Sequence, residues 1–196
     1  MKQEVEIEFK NLLTEEEFHT LTSHFSLGED DFMTQENHYF DTTDFQLKTH
    51  GSALRIRKKG DTYVLTLKQP HENGLLESHQ PLSFQEADYL INGKGTVAGD
   101  IAELIKRLGV DVTKLFYFGT LTTKRAQLFY KDGLLVLDHS FYLNRDDYEL
   151  EFEAKNFQLG QQQFKELLQQ FHIPIRQTDN KIRRFYQLKY SQISEE

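Results

Sequence analysis

Two stretches of this sequence place a carboxylate on every second residue. Near the start, QEVEIEFK carries Glu4, Glu6 and Glu8, followed in step by Lys10. Near the other end, YELEFEAK carries Glu149, Glu151 and Glu153, followed in step by Lys155. The residues between are apolar: Val5, Ile7 and Phe9 in the first stretch, Leu150, Phe152 and Ala154 in the second. A period of two means a strand, with the carboxylates on one face and the apolar residues on the other. Neighbouring carboxylates then lie about 6.5 Å apart. At that spacing they repel unless cations lie between or across from them. Carboxylate oxygens are the preferred ligands of hard cations such as Mg²⁺, Mn²⁺ and Ca²⁺.

Other segments present the opposite charge. SALRIRKK puts Arg55 and Arg57 on one face and Leu54 and Ile56 on the other. TYVLTLKQ puts Thr66 and Lys68 with Val64, against an apolar face of Tyr63, Leu65 and Leu67. Lys124 and Arg125 adjoin in TTKRAQ, and Lys181, Arg183 and Arg184 open the last helical segment. Arginine offers a planar fork that suits phosphate oxygens, and lysine a compact point charge. Together the two sets make chemical sense around a polyphosphate. Cations hold the phosphate oxygens, while carboxylates hold metal ions that bridge to phosphate and activate water. A single charged strand face is ordinarily a solvated one. Two distant acidic ladders and a strand of paired arginines argue here for charged faces turned inward and apolar faces packed under helices.

The elements that must position these groups are legible from periodicity and caps. Lys2 to Lys10 is a strand, and Thr14 opens a helix to about Phe25 with Glu15, Glu16 and Glu17 in its first turn. Phe32 to Thr42 returns to strand, and a short helix or turn over Asp44 to His50 closes at Gly51. Ser52 to Lys59 and Thr62 to Gln69 form a hairpin around Gly60, and Leu75 to Leu82 is a further strand. Ser83 and Glu86 stand at capping-box spacing, and Asp100 opens another helix that ends at Gly109. Strands follow over about 115–127, 128–131, 134–141 and 147–155. An amphipathic helix spans Gly160 to Phe171, and Asp179 opens the last helix. The lack of βαβ alternation argues against a parallel doubly wound sheet. The glycine-rich stretch Asn92 to Gly99 is the best boundary between the two strand-rich halves.

Bulk properties narrow the function classes. A chain of 196 residues suits one domain, 1–196, with a substantial core. Its formal net charge of −8 argues against a broad grip on nucleic acid or on an anionic membrane. With no cysteine, disulfides and thiolate metal sites are excluded. No apolar run resembles a signal peptide or a membrane span, so a soluble, cytoplasmic protein is expected. The eight histidines lack metal-ligand spacing. His38 and His139 read as strand residues, and the segment NGKGT reads as a plain flexible loop. Phe157, Phe164, Leu167, Leu168 and Phe171 read as a core-facing stripe, and the rings of FYFGTL as packing.

On several of these residues the chain resembles the CYTH family, the triphosphate tunnel metalloenzymes. Glu6, Glu8 and Lys10 match its Glu-x-Glu-x-Lys signature, and Tyr39 to Thr42 its aromatic-Asp-Thr segment. Leu54 to Arg57 match its Leu-Arg-x-Arg strand, Leu67 and Lys68 loosely its Leu-x-Lys strand, and Lys124 and Arg125 its Lys-Arg strand. The closing Glu-x-Glu falls within Glu149, Glu151 and Glu153, and Lys-x-x-Arg-Phe is Lys181, Arg184 and Phe185.

The resemblance implies an α+β fold: an antiparallel β-barrel tunnel of about eight strands with a charged lumen and flanking helices. It implies metal-dependent hydrolysis of a triphosphate, whether inorganic triphosphate, thiamine triphosphate or a nucleoside triphosphate, with Mg²⁺ or Mn²⁺ as cofactor. A class IV adenylate cyclase and a non-catalytic polyphosphate or nucleotide sensor are the alternatives. Carried over, the metal ligands are Glu6, Glu8, Asp138 and the later ladder Glu149, Glu151 and Glu153, of which the correct pair stays open. Arg55, Arg57, Lys68, Arg125, Lys181, Arg183 and Tyr39 are the substrate contacts. Lys10, with Glu6 and Glu8, is assigned to catalysis, contacting phosphate or orienting water. The expected partner is a small triphosphate rather than membrane or nucleic acid, and a homodimer is allowed.

Overall fold

The structure, a computed structural model, describes residues 1–72 and 74–193. In chain order its regular elements are β1 (Lys2–Leu13), α1 (Glu15–His24), β2 (Met33–Asp41), α2 (Gln46–Thr49), β3 (Ala53–Lys59), β4 (Thr62–His71), β5 (Gly74–Leu82), α3 (Phe84–Ile91), α4 (Asp100–Arg107), β6 (Phe116–Tyr130), β7 (Gly133–Tyr142), β8 (Arg145–Ala154), α5 (Phe157–Gln170) and α6 (Lys181–Ile193). The strands form a closed barrel in the order β1-β5-β4-β3-β2-β6-β7-β8, and each described pairing is antiparallel. This is the fold class read from the sequence.

Several boundaries moved. The stretches expected as two strands over 115–131 form one 15-residue strand. Gly99 rather than Asp100 caps α4, and α5 starts three residues before Gly160 because Asn156 accepts a hydrogen bond from the Leu159 amide at 2.9 Å. Asn180 rather than Asp179 closes the start of α6, accepting from the Arg183 amide at 3.1 Å. The capping boxes of α1 and α3 form as expected at Thr14/Glu17 and Ser83/Glu86.

The chain divides into two compact units, Met1–Glu6 with Gln35–Leu121, and Ile7–Thr34 with Thr122–Glu196. In the first unit, the apolar faces of β3 and β4 (Leu54, Ile56, Leu65, Leu67) bury against Ala87 of α3 and Ile101, Ala102 and Ile105 of α4. In the second, Leu135, Leu137, Leu150 and Phe152 of β7 and β8 bury against Phe18 and Leu21 of α1 and Phe164, Leu167 and Leu168 of α5. Each fully buried side chain of this size contributes about 1.5–3 kcal/mol. A one-residue slip of register would turn all of them outward. The apolar alternation therefore fixes where the intervening charged residues point, which is the face turned away from these helices.

Candidate functional site

In the first unit, the register aligns the polar face row by row. Glu4 stands opposite Glu77, which stands opposite Lys68. His79 stands opposite Thr66, Thr66 opposite Arg55, and Arg55 opposite Tyr39. The Lys68 ammonium bridges Glu6, at 2.7 Å, and Glu77. Arg55 is 4.0 Å from Glu77, and Arg57 is oriented by its Nε–H, which donates to the buried Asn37 Oδ1 at 2.9 Å. His79 bridges the Thr66 hydroxyl, at 3.0 Å, and the Glu4 carboxylate, at 3.2 Å.

Burial pushes the Glu77 carboxyl up, but Arg55 and Lys68 more than reverse this and hold it at about 2. Burial likewise opposes the Arg55 charge, and Glu77 more than restores it. Arg55 is thus a half-buried, permanent cation. Its Nε–H has no hydrogen-bond partner among the described residues. A buried donor without an acceptor is costly, so this one is suited to an oxyanion.

The second unit gathers carboxylates more tightly. Asp138 of β7 stands opposite both Arg125 and Glu149. Oxygens of Asp138, Glu149 and Glu151 lie within 4.8 Å of one another. Two cations hold them. The Arg125 fork donates to Asp138 at 2.7 and 2.5 Å and to Glu151 at 2.6 Å. The Lys181 ammonium reaches Asp138 at 2.8 Å and also pairs with Glu149 and Glu151. One helical turn on, Arg184 donates to Glu149 at 2.6 Å and grips Asp147 at 3.1 Å. Tyr142 donates to the same Asp147 at 2.6 Å. On β1, Lys10 pairs with Glu8 and stands opposite Glu151.

Protonation follows from this crowding. Burial works against the ammonium groups of Lys10 and Lys181, yet the surrounding carboxylates leave both above the ordinary lysine range, Lys181 well above. Both therefore act as permanent donors, not as bases, near neutral pH. Glu151 is driven well below the usual carboxylate range, because Lys181 and Arg125 outweigh its burial. Glu149 goes the other way: burial, with Glu151 alongside, pushes it up to about 7. Two carboxylates sharing one ammonium divide in this way, one keeping its charge more firmly than the other.

The position of Lys181 is set from β1. The segment 173–180 has no regular structure and is tied to the end of that strand. The buried Asn11 accepts from the Arg176 amide at 2.6 Å and donates to the Pro174 carbonyl at 3.1 Å. The Thr178 hydroxyl accepts from the Leu12 amide at 3.1 Å, and the Arg176 fork donates to Glu17 at 2.7 and 2.9 Å. Lys181 follows three residues after Thr178.

Among the residues singled out from sequence, Asp138, Glu149, Glu151, Arg125 and Lys181 converge in the second unit, with Lys10 and Glu8 beside them. Glu6, Arg55, Arg57, Lys68 and Tyr39 share the polar face of the first. Glu153 shares the face of Glu151 and stands opposite Glu8, outside the close carboxylate trio. Arg183 is 63% exposed and pairs with Asp179 at 3.2 Å, so Arg184 is the arginine of α6 that meets the carboxylates. Lys124 stands opposite His139 and is exposed, on the other face from Arg125. Sequence reasoning did not single out Glu77, His79, Asn37 or Asp147. Alternation alone could have placed Glu77 and His79 on one face, but only the β4–β5 register sets Glu77 against Lys68.

The donor set suits a hard divalent cation. It offers oxygen only, from three carboxylates on two adjacent strands, with no nitrogen or sulfur ligand. Among the described residues, no helix is long and apolar enough to cross a membrane.

Comparison with known proteins gives a consistent picture. The CYTH domain matches this chain over residues 4–186. A Bacillus subtilis (strain 168) protein named "Putative triphosphatase YjbK" is 51% identical over 193 residues, covering 98% of this chain and 100% of that protein. A crystal structure of a "putative adenylate cyclase" from Bacillus halodurans superposes with a TM-score of 0.91 at 45% identity, covering 95% of this chain and 100% of that one. HpAC1 from Hippeastrum, described as a "putative adenylyl cyclase" that reveals a dominant triphosphatase activity, has a TM-score of 0.78 at 23% identity over 93% of this chain and 95% of its own. At that identity the likeness speaks for the fold alone.

Proposed function

Because this chain belongs to the CYTH domain family, we propose that it hydrolyses the terminal phosphoanhydride bond of a triphosphate with the help of Mg²⁺ or Mn²⁺. The observation that carries this reading is the trio Asp138, Glu149 and Glu151, converged within 4.8 Å and interleaved with the half-buried Arg125 and Lys181. Acidic and cationic groups in that arrangement can share a metal ion and a polyphosphate. The name of the 51% identical Bacillus subtilis relative supports it. The reading takes residues 1–196 as one functional domain and a small triphosphate as the partner, acting in the cytoplasm. The net charge of −8 argues against a nucleic-acid surface.

Roles follow from the chemistry of each group. In the first unit Arg55, Arg57 and Lys68 suit phosphate oxygens, the Arg55 Nε–H finding there the acceptor it lacks; in the second unit Arg125 suits them too. Lys10 and Lys181, held as ammonium, donate to phosphate or to the attacking water and neutralise charge on the transferring group. In the second unit Asp138, Glu149 and Glu151, with Glu8, are the groups that would hold the metal, and in the first Glu6 is the candidate ligand. When bound, the metal would supply charge neutralisation on the phosphates and a more acidic water. In the reaction, a water oxygen bonds to the terminal phosphorus and the bridging P–O bond breaks. Orthophosphate and the remaining diphosphate, inorganic or organic according to the substrate, leave; one water proton stays on the orthophosphate and the other passes to solvent.

The test is phosphate release from inorganic triphosphate with Mg²⁺, with Mn²⁺ and with chelator. Release should require the divalent ion and fall by about 10²–10³-fold in Glu151→Gln, the scale for losing one preorganised electrostatic group. The name of the 45% identical Bacillus halodurans protein favours a second reading, cyclisation of ATP. Cyclic AMP with diphosphate as the products from ATP would establish it, and no release from any triphosphate with either ion would end the hydrolytic one.

A further inference from the structure

On the polar face of the second unit, one end is covered and the other is not. The rows can be followed through the register. Arg125, Asp138, Glu149 and Leu12 form one row across β6, β7, β8 and β1. Four residues further along, past the intervening row of Gln127, Val136, Glu151 and Lys10, Phe129, Leu134, Glu153 and Glu8 form another. In the opposite direction the face ends at Tyr142. Helix α6 lies over that end: Lys181 on Asp138, Arg184 on Asp147 and Glu149, and the Phe185 ring 5.9 Å from the Tyr142 ring. At the other end, Phe129 is 92% exposed and makes no ring contact among the described residues.

Phe129 is not a core residue displaced by a slip. Its neighbours Leu128 and Tyr130 pack into the second unit's hydrophobic cluster. Alternation therefore puts Phe129 on the face of Arg125 and Gln127. An open aromatic ring stands on the same strand and face as a phosphate-suited arginine, four residues or about 13 Å away. With α6 closing the far end, a substrate whose phosphates lie at Arg125 and Lys10 leaves by the Phe129 end. The side chain opposite Phe129 is apolar Leu134, and Glu153 and Glu8 complete its row.

We propose that Phe129 is a specificity-determining residue, the stacking platform for a flat heteroaromatic group carried by an organic triphosphate such as a nucleoside triphosphate. This rests on the triphosphatase reading and deepens it. The substrate class becomes an aromatic-headed triphosphate, with inorganic triphosphate filling only the phosphate part of the site. Stacking on an aromatic ring is tolerant of base identity, since every base has a π-face. The site should thus discriminate bases weakly, and distinguish organic from inorganic triphosphate strongly.

Two measurements on the full chain test this. In steady-state hydrolysis with Mg²⁺, Phe129→Ala should raise KM for ATP by roughly five- to a hundredfold. It should leave kcat for ATP and both constants for inorganic triphosphate unchanged, and Phe129→Tyr should restore the KM. The chain has no tryptophan, so Phe129→Trp creates a single fluorophore at the site. Its emission should be quenched by ATP and by other nucleoside triphosphates, unaffected by inorganic triphosphate alone, and recovered when inorganic triphosphate displaces ATP. Absence of quenching by ATP, or an equal KM change for ATP and inorganic triphosphate, overturns the proposal. So does a change of sedimentation in Phe129→Ala with ATP kinetics unaltered, which would assign the ring to contact with a second copy of the chain. The fluorescence reads binding without turnover. A protein that hydrolyses no triphosphate, yet shows the ATP-specific quench, would refute the hydrolytic reading and keep the stacking site.

Discussion

Replacing Lys181 with methionine removes one positive charge from the centre of three buried carboxylates. Asp138 and Glu149 are 0% exposed, and Glu151 is nearly as enclosed. Breaking a buried ion pair from one side costs about 3–5 kcal/mol, because the remaining charge is left without its partner. Here each carboxylate keeps one cation. Asp138 and Glu151 keep Arg125, and Glu149 keeps Arg184. The loss should therefore fall at the lower end, about 3 kcal/mol. For a chain of this size that is a drop of roughly 6–12 °C in melting temperature. Calorimetry or a thermal-shift assay in chelator measures it. A ligand that binds only the folded form stabilises by mass action. Mg²⁺ or Mn²⁺ entering the vacated centre of the trio should thus raise the melting temperature of Lys181→Met by more than that of wild type. A loss below about 1 kcal/mol, the size of an exposed pair, would refute the claim that Lys181 neutralises this cluster. An identical response of the two proteins to metal would refute the claim that the trio is where the metal binds.

Other ion pairs carry their own expected outcomes. Glu17 is depressed by its hydrogen-bonded pairing with Arg176, and a depressed carboxyl stabilises the fold above its unfolded value, near about 4.3, and loses that contribution as pH falls through the folded value. Glu17→Gln preserves the capping box, so chemical denaturation should find wild type more stable by about 1 kcal/mol at neutral pH, with the difference vanishing in acid. On α6, Arg184→Met should raise KM for inorganic triphosphate and lower stability, because Glu149 and Asp147 lose a shared partner. Arg183→Met should do neither, changing stability by less than about 0.5 kcal/mol, as expected for an exposed charge.

What could be read from sequence, and what could not, divides along the range of the interactions. The acidic ladders and the Arg55/Arg57 pair were legible because strand alternation is a local rule, satisfied within five residues. The same rule separates Lys124 from Arg125, since adjacent strand residues take opposite faces. The helical rule separates Arg183 from Arg184: three residues on from Lys181 returns to nearly the same side of a helix, and two do not. Arg184 was therefore derivable from spacing as the partner of Lys181. Glu77 was not, because a lone glutamate in GLLESHQ acquires meaning only once Lys68 stands opposite it. Asp147 likewise needs both the hairpin that sets Tyr142 against Arg145 and a helix arriving from 34 residues later. That helix is placed by Asn11, whose side chain looks unremarkable in sequence, between Lys10 and Leu12. One residue carries a cation onto the polar face, and the next ties down the segment that delivers a second cation there. If this coupling positions the charge, Asn11→Ala should loosen Lys181 without touching a carboxylate, weakening triphosphate binding while leaving the strand that bears Lys10 in register.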